Sequence, residues 1–189
     1  MVFTVVDIET TGLSKQYHQI TEIAAAKLRN GRITKTYQTL INPQVNIPDF
    51  ITRLTGIDNE MVKDAPVIRA AMPEFKEFLG EDIFVGHCAT FDFGFLDVNL
   101  RKHCNGSFAN SRLCTRKLTN RIIPDLKRKR LIDLCQYFNI KNTQAHRAMA
   151  DVNATAEVFN HMLGLLKEKG ITDVKEILKF EKSARRHDF

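Results

Sequence analysis

At 189 residues and 43% hydrophobic, the chain has enough apolar side chain for one globular domain with a substantial core. Its 28 Lys and Arg against 22 Asp and Glu leave a net charge of +6, which suits a protein that meets a polyanion, and no apolar stretch is long enough to cross a bilayer. Cys88, Cys104, Cys114 and Cys135 form no C-x-x-C pair. They read as reduced thiols of a cytoplasmic protein rather than as a disulfide frame or a zinc site. The first residues lack a basic segment and are interrupted by Asp7, so no signal peptide is expected.

Val2 to Val6 is a β-branched and aromatic run that predicts a central strand buried on both faces. Side chains alternate on a strand, so Asp7 and Glu9 share one face, ~7 Å apart at ~3.3 Å rise per residue. Thr10-Thr11-Gly12 predicts a sharp turn in which Gly12 is free to take positive φ. Ile20 to Leu28 and Ile33 to Ile41 read as strands joined at Asn30-Gly31, the strongest short hairpin signal. The first three strands therefore form an antiparallel meander, and residues 44 to 64 read as irregular. Pro66 opens a helix with Ile68, Met72, Phe75 and Leu79 on one side. Ile83 to Val85 is a fourth strand. Thr90 is the expected N-cap of the helix that carries Asp92, and Leu113-Cys114 lies in a fifth strand. Helices follow over Thr115 to Ile122, Leu131 to Phe138, Ala148 to Lys169 with Gly170 as cap, and Asp173 to Phe180. Residues 1–180 are expected to be one domain and 181–189 a polar tail. Strands first and helix–strand units later give an α/β class with a mixed sheet.

Four acids fall at the ends of predicted elements: Asp7 and Glu9 on the central strand, Asp92 and Asp151 in first helical turns. An acid in a first turn ordinarily complements the helix dipole, which explains Asp92 or Asp151 taken singly. His146 precedes Asp151 by five residues. The two can share a site only if His146 lies in the loop before the helix, and Lys141 to Gln144 is polar enough to make that loop. Glu22 on the second strand and Asp97 on the Asp92 helix read as structural or surface acids. Lys127 to Arg130 reads as a solvated basic loop, with a phosphate track as its rival reading.

Asp7-x-Glu9-Thr-Thr-Gly, Gly86-His87-x-Ala89-x-Phe91-Asp92 and His146-Arg-Ala-x-x-Asp151 closely resemble the motifs of the DEDDh 3′–5′ exonucleases, above all the epsilon-like proofreading group. The resemblance covers residues 1 to about 168 with the motifs in the family's order. It implies a ribonuclease H-like fold, a five-stranded mixed sheet with helices on both faces. It also implies two divalent cations, Mg²⁺ or Mn²⁺, held by Asp7, Glu9, Asp92 and Asp151, since hard ions prefer oxygen ligands. His146 would be the general base, a role that suits an imidazole titrating near neutrality. The implied substrate is a single-stranded 3′ end, DNA ahead of RNA, cut to 5′-mononucleotides, with a replicative polymerase subunit as a candidate partner. Backbone at Thr10, Thr11 and Gly12 would meet the terminal sugar. Leu54 and Thr55 would stack on the last bases, Leu54 having a core role as an equal reading. His87 and Phe91 would complete the substrate site.

Cys88 stands where the family usually has Asn, which changes the turn before Asp92 without removing a ligand. An RNA-trimming exonuclease of the oligoribonuclease or RNase T type is the nearest rival reading. A non-catalytic module on the same fold is opposed by the five intact catalytic positions.

Overall fold

The apolar run at the start of the chain forms β1 (Phe3–Thr10), followed by β2 (Ile20–Arg29) and β3 (Arg32–Leu40). The computed structural model describes residues 2–142 and 146–183. Asn30 and Gly31 both take positive φ and close the β2–β3 hairpin. β4 (Ile83–Gly86) and β5 (Arg112–Cys114) complete a sheet ordered β3-β2-β1-β4-β5. β1 pairs antiparallel with β2 and parallel with β4, and β4 pairs parallel with β5, so the sheet is mixed and β1 is central.

Alternation along β1 sends Phe3 and Val5 into one core and Val6 and Ile8 into the other. Val152, Phe159 and Met162 of α7 (Ala148–Glu168) cover the first face, with α5 (Thr115–Ile122), α6 (Leu131–Phe138) and α8 (Val174–Lys182) beside them. Phe3 meets Phe159 edge-on at 5.0 Å. The second face is closed by Met72, Phe75 and Leu79 of α3 (Ile68–Leu79) and by Phe95, Leu96 and Leu100 of α4 (Ala89–Cys104). Asp7 and Glu9 have the parity of Phe3 and Val5, so they face α7. The β1–β2 register shifts after Glu9↔Glu22, to Thr10↔Ile20, and Ile20 accordingly packs on the opposite face.

Several local expectations are corrected. Residues 44 to 64 are not irregular: they hold α1 (Asp49–Thr55) and α2 (Asn59–Val62) around a small core of Ile47, Ile51, Ile57 and Val62. Neither helix is long enough to show apolar periodicity in the sequence. Cys88 rather than Thr90 is the N-cap of α4, because the chain turns immediately after Gly86. The C-cap of α7 is Lys169, and Gly170 takes the left-handed conformation one residue later. The expected tail boundary at 181 falls inside α8, where Glu181 is buried 3.8 Å from Lys117. Residues 184–189 of that tail lie outside the described residues, as do Thr143 and Gln144 of the expected loop.

Gly12 is also required for a reason other than the one expected. Its φ is not in the left-handed region. A Cβ there would lie 2.4 Å from Cδ2 of His18, whose Nδ1 accepts the Ser14 amide at 3.1 Å. Close approach, not handedness, excludes a side chain. Gly12→Ala should therefore lower stability by about 1 to 3 kcal/mol, as overpacking does. His18→Ala in the same chain should recover part of the loss in urea unfolding. An unchanged midpoint for Gly12→Ala alone would show that the ring swings aside freely.

Candidate active site

The acids gather where β1 outruns its neighbour. Parallel pairing with β4 stops at Val5↔Val85, so the last residues of β1 project beyond the end of β4. Asp7 and Glu9 point from there toward the N-terminus of α7. Carboxylate oxygens of Asp7, Glu9 and Asp151 lie within 4.8 Å of one another. Asp92 approaches from the first turn of α4, and the Ile8 amide donates to it. Gly86 makes room for this approach, since a Cβ there would sit 3.2 Å from Oδ2 of Asp92.

Crowding shows in the protonation of the group. Burial, then the charges of Asp92, Glu9, Asp151 and Glu22, hold Asp7 well above the usual carboxylate range. Glu9 is pushed up to about 8, mainly by burial and then by Asp151, Glu22 and Asp92, with Arg147 pulling the other way. Asp92 is pushed up to about 7 by burial, against backbone hydrogen bonds from its own amide and that of Ile8. Four carboxylates this close either hold protons or share a cation. The donor set is all oxygen, which fits a hard divalent ion rather than zinc or copper.

His146 stands in the turn before α7, exposed and with φ of 67°, a left-handed conformation that an ordinary side chain adopts at a cost. Its amide donates to Oδ2 of Asp151 at 2.9 Å, which holds the turn. Oδ1 of Asp151 accepts from Nδ2 of Asn142 at 2.8 Å. Asn142 was read only as part of a polar loop. Its contact with Asp151 spans nine residues and leaves no periodic signal.

Asp7, Glu9, Asp92, His146 and Asp151 line one cavity of about 540 Å³ with His87, Phe91, Arg116, Lys129, Arg130, Leu131 and Ile132. That volume is in the range of small-molecule sites and suits a nucleotide. Part of the basic run Lys127 to Arg130 is thus a wall of the site. His87 explains how it is held there. Nε2 donates to the Lys129 carbonyl and Nδ1 pairs with the Thr115 hydroxyl, both at 3.0 Å. Burial lowers the His87 pKa to about 4, so the ring stays neutral. Both nitrogens are engaged by the protein, and His87 offers the cavity a ring face rather than a hydrogen bond.

The other expected substrate residues divide in the same way. Phe91 lines the cavity. The Thr10 hydroxyl donates to the Gly12 carbonyl at 2.7 Å and the Thr11 hydroxyl accepts the Gln19 amide at 3.0 Å, so both side chains are spent on the loop. Thr55 is buried, donating to Ile51 and accepting from Ile57. Leu54 is half exposed on α1 and does not line the cavity. Asp97 is structural, bound by Arg101 and the Phe108 amide. Cys88 is exposed at the cavity rim, 4.0 Å from Nη1 of Arg116.

Among known proteins, the chain is 45% identical over 175 residues to a PolC-type DNA polymerase III of Caldanaerobacter subterraneus subsp. tengcongensis. It is 38% identical over 175 residues to the PolC-type DNA polymerase III of Staphylococcus haemolyticus. Each match takes in 93% of this chain and 12% of the relative, so the chain spans about an eighth of their length. Exonuclease X in complex with 5′ overhanging duplex DNA superposes with a TM-score of 0.74 at 23% identity, covering 95% of this chain and 99% of that one. Exonuclease I of E. coli in complex with a dT13 oligonucleotide superposes with a TM-score of 0.80 at 17% identity, covering 89% of this chain and 42% of that one. At those identities the structural likeness is one of fold, a ribonuclease H-like α/β sheet. The family model described as exonuclease, RNase_T, matches residues 4–159, and the chain belongs to that family.

Proposed function

We propose that this chain is a 3′–5′ exonuclease domain that removes 5′-mononucleotides from DNA 3′ ends, and that it works beside a replicative polymerase of the PolC type. The observation that carries the reading is the set of three carboxylates within 4.8 Å, with Asp92 against them and His146 at their rim. The relatives named as polymerases are far longer than this chain, and Exonuclease I and Exonuclease X are named in complexes with DNA. The proposed domain is the unit expected at 1–180, with α8 carrying it to Lys182.

Two divalent cations, Mg²⁺ or Mn²⁺, held by Asp7, Glu9, Asp92 and Asp151, would supply Lewis-acid stabilisation of charge on the scissile phosphate and the leaving oxygen. The protein supplies the rest. His146, exposed at the cavity rim, takes the proton from the attacking water. Asp151 fixes the backbone of His146, so base and phosphate keep one geometry. Arg116 draws the phosphates inward, and Phe91, Leu131 and Ile132 give the terminal base and sugar an apolar wall. Of the Thr10 to Gly12 backbone, the Thr11 amide is bonded to the Gln19 carbonyl at 2.8 Å and the Gly12 carbonyl to the Thr10 hydroxyl, so only the other backbone groups of this turn are left for the 3′ hydroxyl.

A 5′-labelled single strand of DNA should shorten as a ladder in Mg²⁺ or Mn²⁺. Excess chelator, or Asp7→Asn, should abolish the ladder. Cleavage of circular single-stranded DNA would replace an exonuclease with an endonuclease, and faster trimming of RNA than DNA would move the substrate class.

His146→Ala should lose turnover by about 10²- to 10⁴-fold, the usual contribution of a general base, while still binding Mn²⁺ and 3′ ends. Undiminished turnover would assign the proton transfer to another group.

The carboxylates also set a pH dependence of stability. In the metal-free protein Glu9 and Asp92 hold protons up to about 8 and 7, against ordinary values of 4.5 and 3.8. Folding therefore takes up protons. The contribution of these two groups to the stability of the metal-free protein is greatest below the ordinary carboxylate values and is lost as pH rises from about 4 to 8. Added Mg²⁺ or Mn²⁺ should raise the melting temperature more at pH 8 than at pH 5, both chosen as points roughly spanning that window. A melting temperature of the chelated protein that rises toward pH 8 would contradict this sign.

A further inference from the structure

Glu22 is a fully buried carboxylate that the proposed reaction does not use. It stands directly across the β1–β2 ladder from Glu9, on the face toward α7. Like charges directly opposite on a sheet repel, so this residue costs the fold something where an apolar one would not. Its contacts show what it does there. Oε2 accepts the Ala148 amide at 3.1 Å and faces Nε of Arg147 at 3.5 Å. Oε1 accepts from Nε2 of Gln38 at 2.8 Å and from Nη2 of Arg147 at 3.3 Å.

α7 begins at Ala148 with Arg147 at its N-cap, and that side chain makes no cap hydrogen bond. Arg has only donors, so it cannot satisfy the free amides of a first helical turn. The Ala148 amide instead finds its acceptor on β2, more than a hundred residues away in sequence. The negative charge at this helix start is thus brought by the sheet, alongside Asp151 from the helix itself. The contact is at Ala148, within the short stretch from His146 to Asp151, with Arg147 closing over it.

We propose that Glu22, clamped by Arg147, is a positioning residue: it docks the start of α7 onto β2 and thereby sets where His146 and Asp151 stand against Asp7 and Glu9. The role rests on the exonuclease reading for its consequence in turnover, but the docking itself is independent of it. Glu22→Gln keeps the size and one acceptor. It also turns an amide NH₂ toward donors of Gln38 or Arg147, which misaligns the helix start without emptying the core.

The test compares full-length wild type with Glu22→Gln and with Arg147→Met. The readouts are melting temperature, kcat and KM on 5′-labelled single-stranded DNA, Mn²⁺ affinity by calorimetry, and hydrogen exchange at the Ala148 amide without metal. Each variant should remain folded at the assay temperature and lose about 10- to 100-fold in kcat, the usual effect of removing a group that orients a metal ligand. KM should change by less than about threefold, since no substrate contact is removed. Mn²⁺ should bind more weakly and Ala148 should exchange faster.

A lower melting temperature with unchanged kcat and unchanged Mn²⁺ affinity would make Glu22 a fold residue only and overturn the proposal. If Glu22→Gln does not fold, Arg147→Met carries the same comparison, because its side chain is 36% exposed and outside the core. If wild type cleaves no DNA, the exonuclease reading fails. Mn²⁺ affinity and Ala148 exchange then decide the positioning role by themselves.

Discussion

Electrostatic repulsion at the end of β1 is the constraint on which the rest of the structure turns. Asp7, Glu9, Asp92 and Asp151 converge at the floor of one cavity, where burial raises the cost of their charges, and Glu22 stands across the ladder from Glu9. Left to itself such a group would spread apart or take up protons. It is held together because its members come from different elements, each fixed by a core that does not involve the acids. β1 is locked between β2 and β4, α4 by Phe95, Leu96 and Leu100, and α7 by Val152, Phe159 and Met162. The two apolar cores thus resist a force that they do not share, and a divalent cation is the natural relief.

The basic side of the cavity follows from the same arrangement. Arg116 lies in the first turn of α5, just after β5, and Lys129 in the loop before α6. His87, following β4, ties the two together through Thr115 and the Lys129 carbonyl. The neutral ring carries its proton on Nε2 for the Lys129 carbonyl, which leaves Nδ1 to accept from the Thr115 hydroxyl. The His87 motif residue therefore contributes to the cavity wall by holding backbone in place. Carboxylates and the cationic Arg116 line one cavity, an arrangement that suits an anionic ligand.

Much of this was legible in the chain because it depends on local alternation. The Asn30-Gly31 hairpin, the shared face of Asp7 and Glu9, and the helical stripe of α3 each follow from a few neighbouring residues. The position of His146 before α7 was expected on the condition that it shares a site with Asp151, since a helical His146 would point away from it, and on the polar stretch that precedes it. What was not legible depends on partners distant in sequence. Glu22 looked like an acid on a strand, and only the packed α7 reveals its acceptor role. Thr55 sits in a motif that resembles a base-stacking segment, yet its hydroxyl is used inside α1 and at the Ile57 amide. Gly12 carried the right residue for a reason that only the His18 ring supplies.

Asp151 shows how closely the pieces are tied. Both of its oxygens already accept hydrogen bonds, one from Asn142 and one from the His146 amide. Each carboxylate oxygen has a second lone pair, so these bonds orient the group without exhausting it. The carboxylate that belongs to the cluster with Asp7 and Glu9 is therefore also the group that holds His146 in its left-handed turn. A left-handed residue that is not glycine relaxes once its restraint is lost. His146 and the carboxylates consequently stand or fall as one unit. A change that moves Asp151 by a fraction of an ångström moves His146 as well, and the effects of altering the two residues should be far from additive.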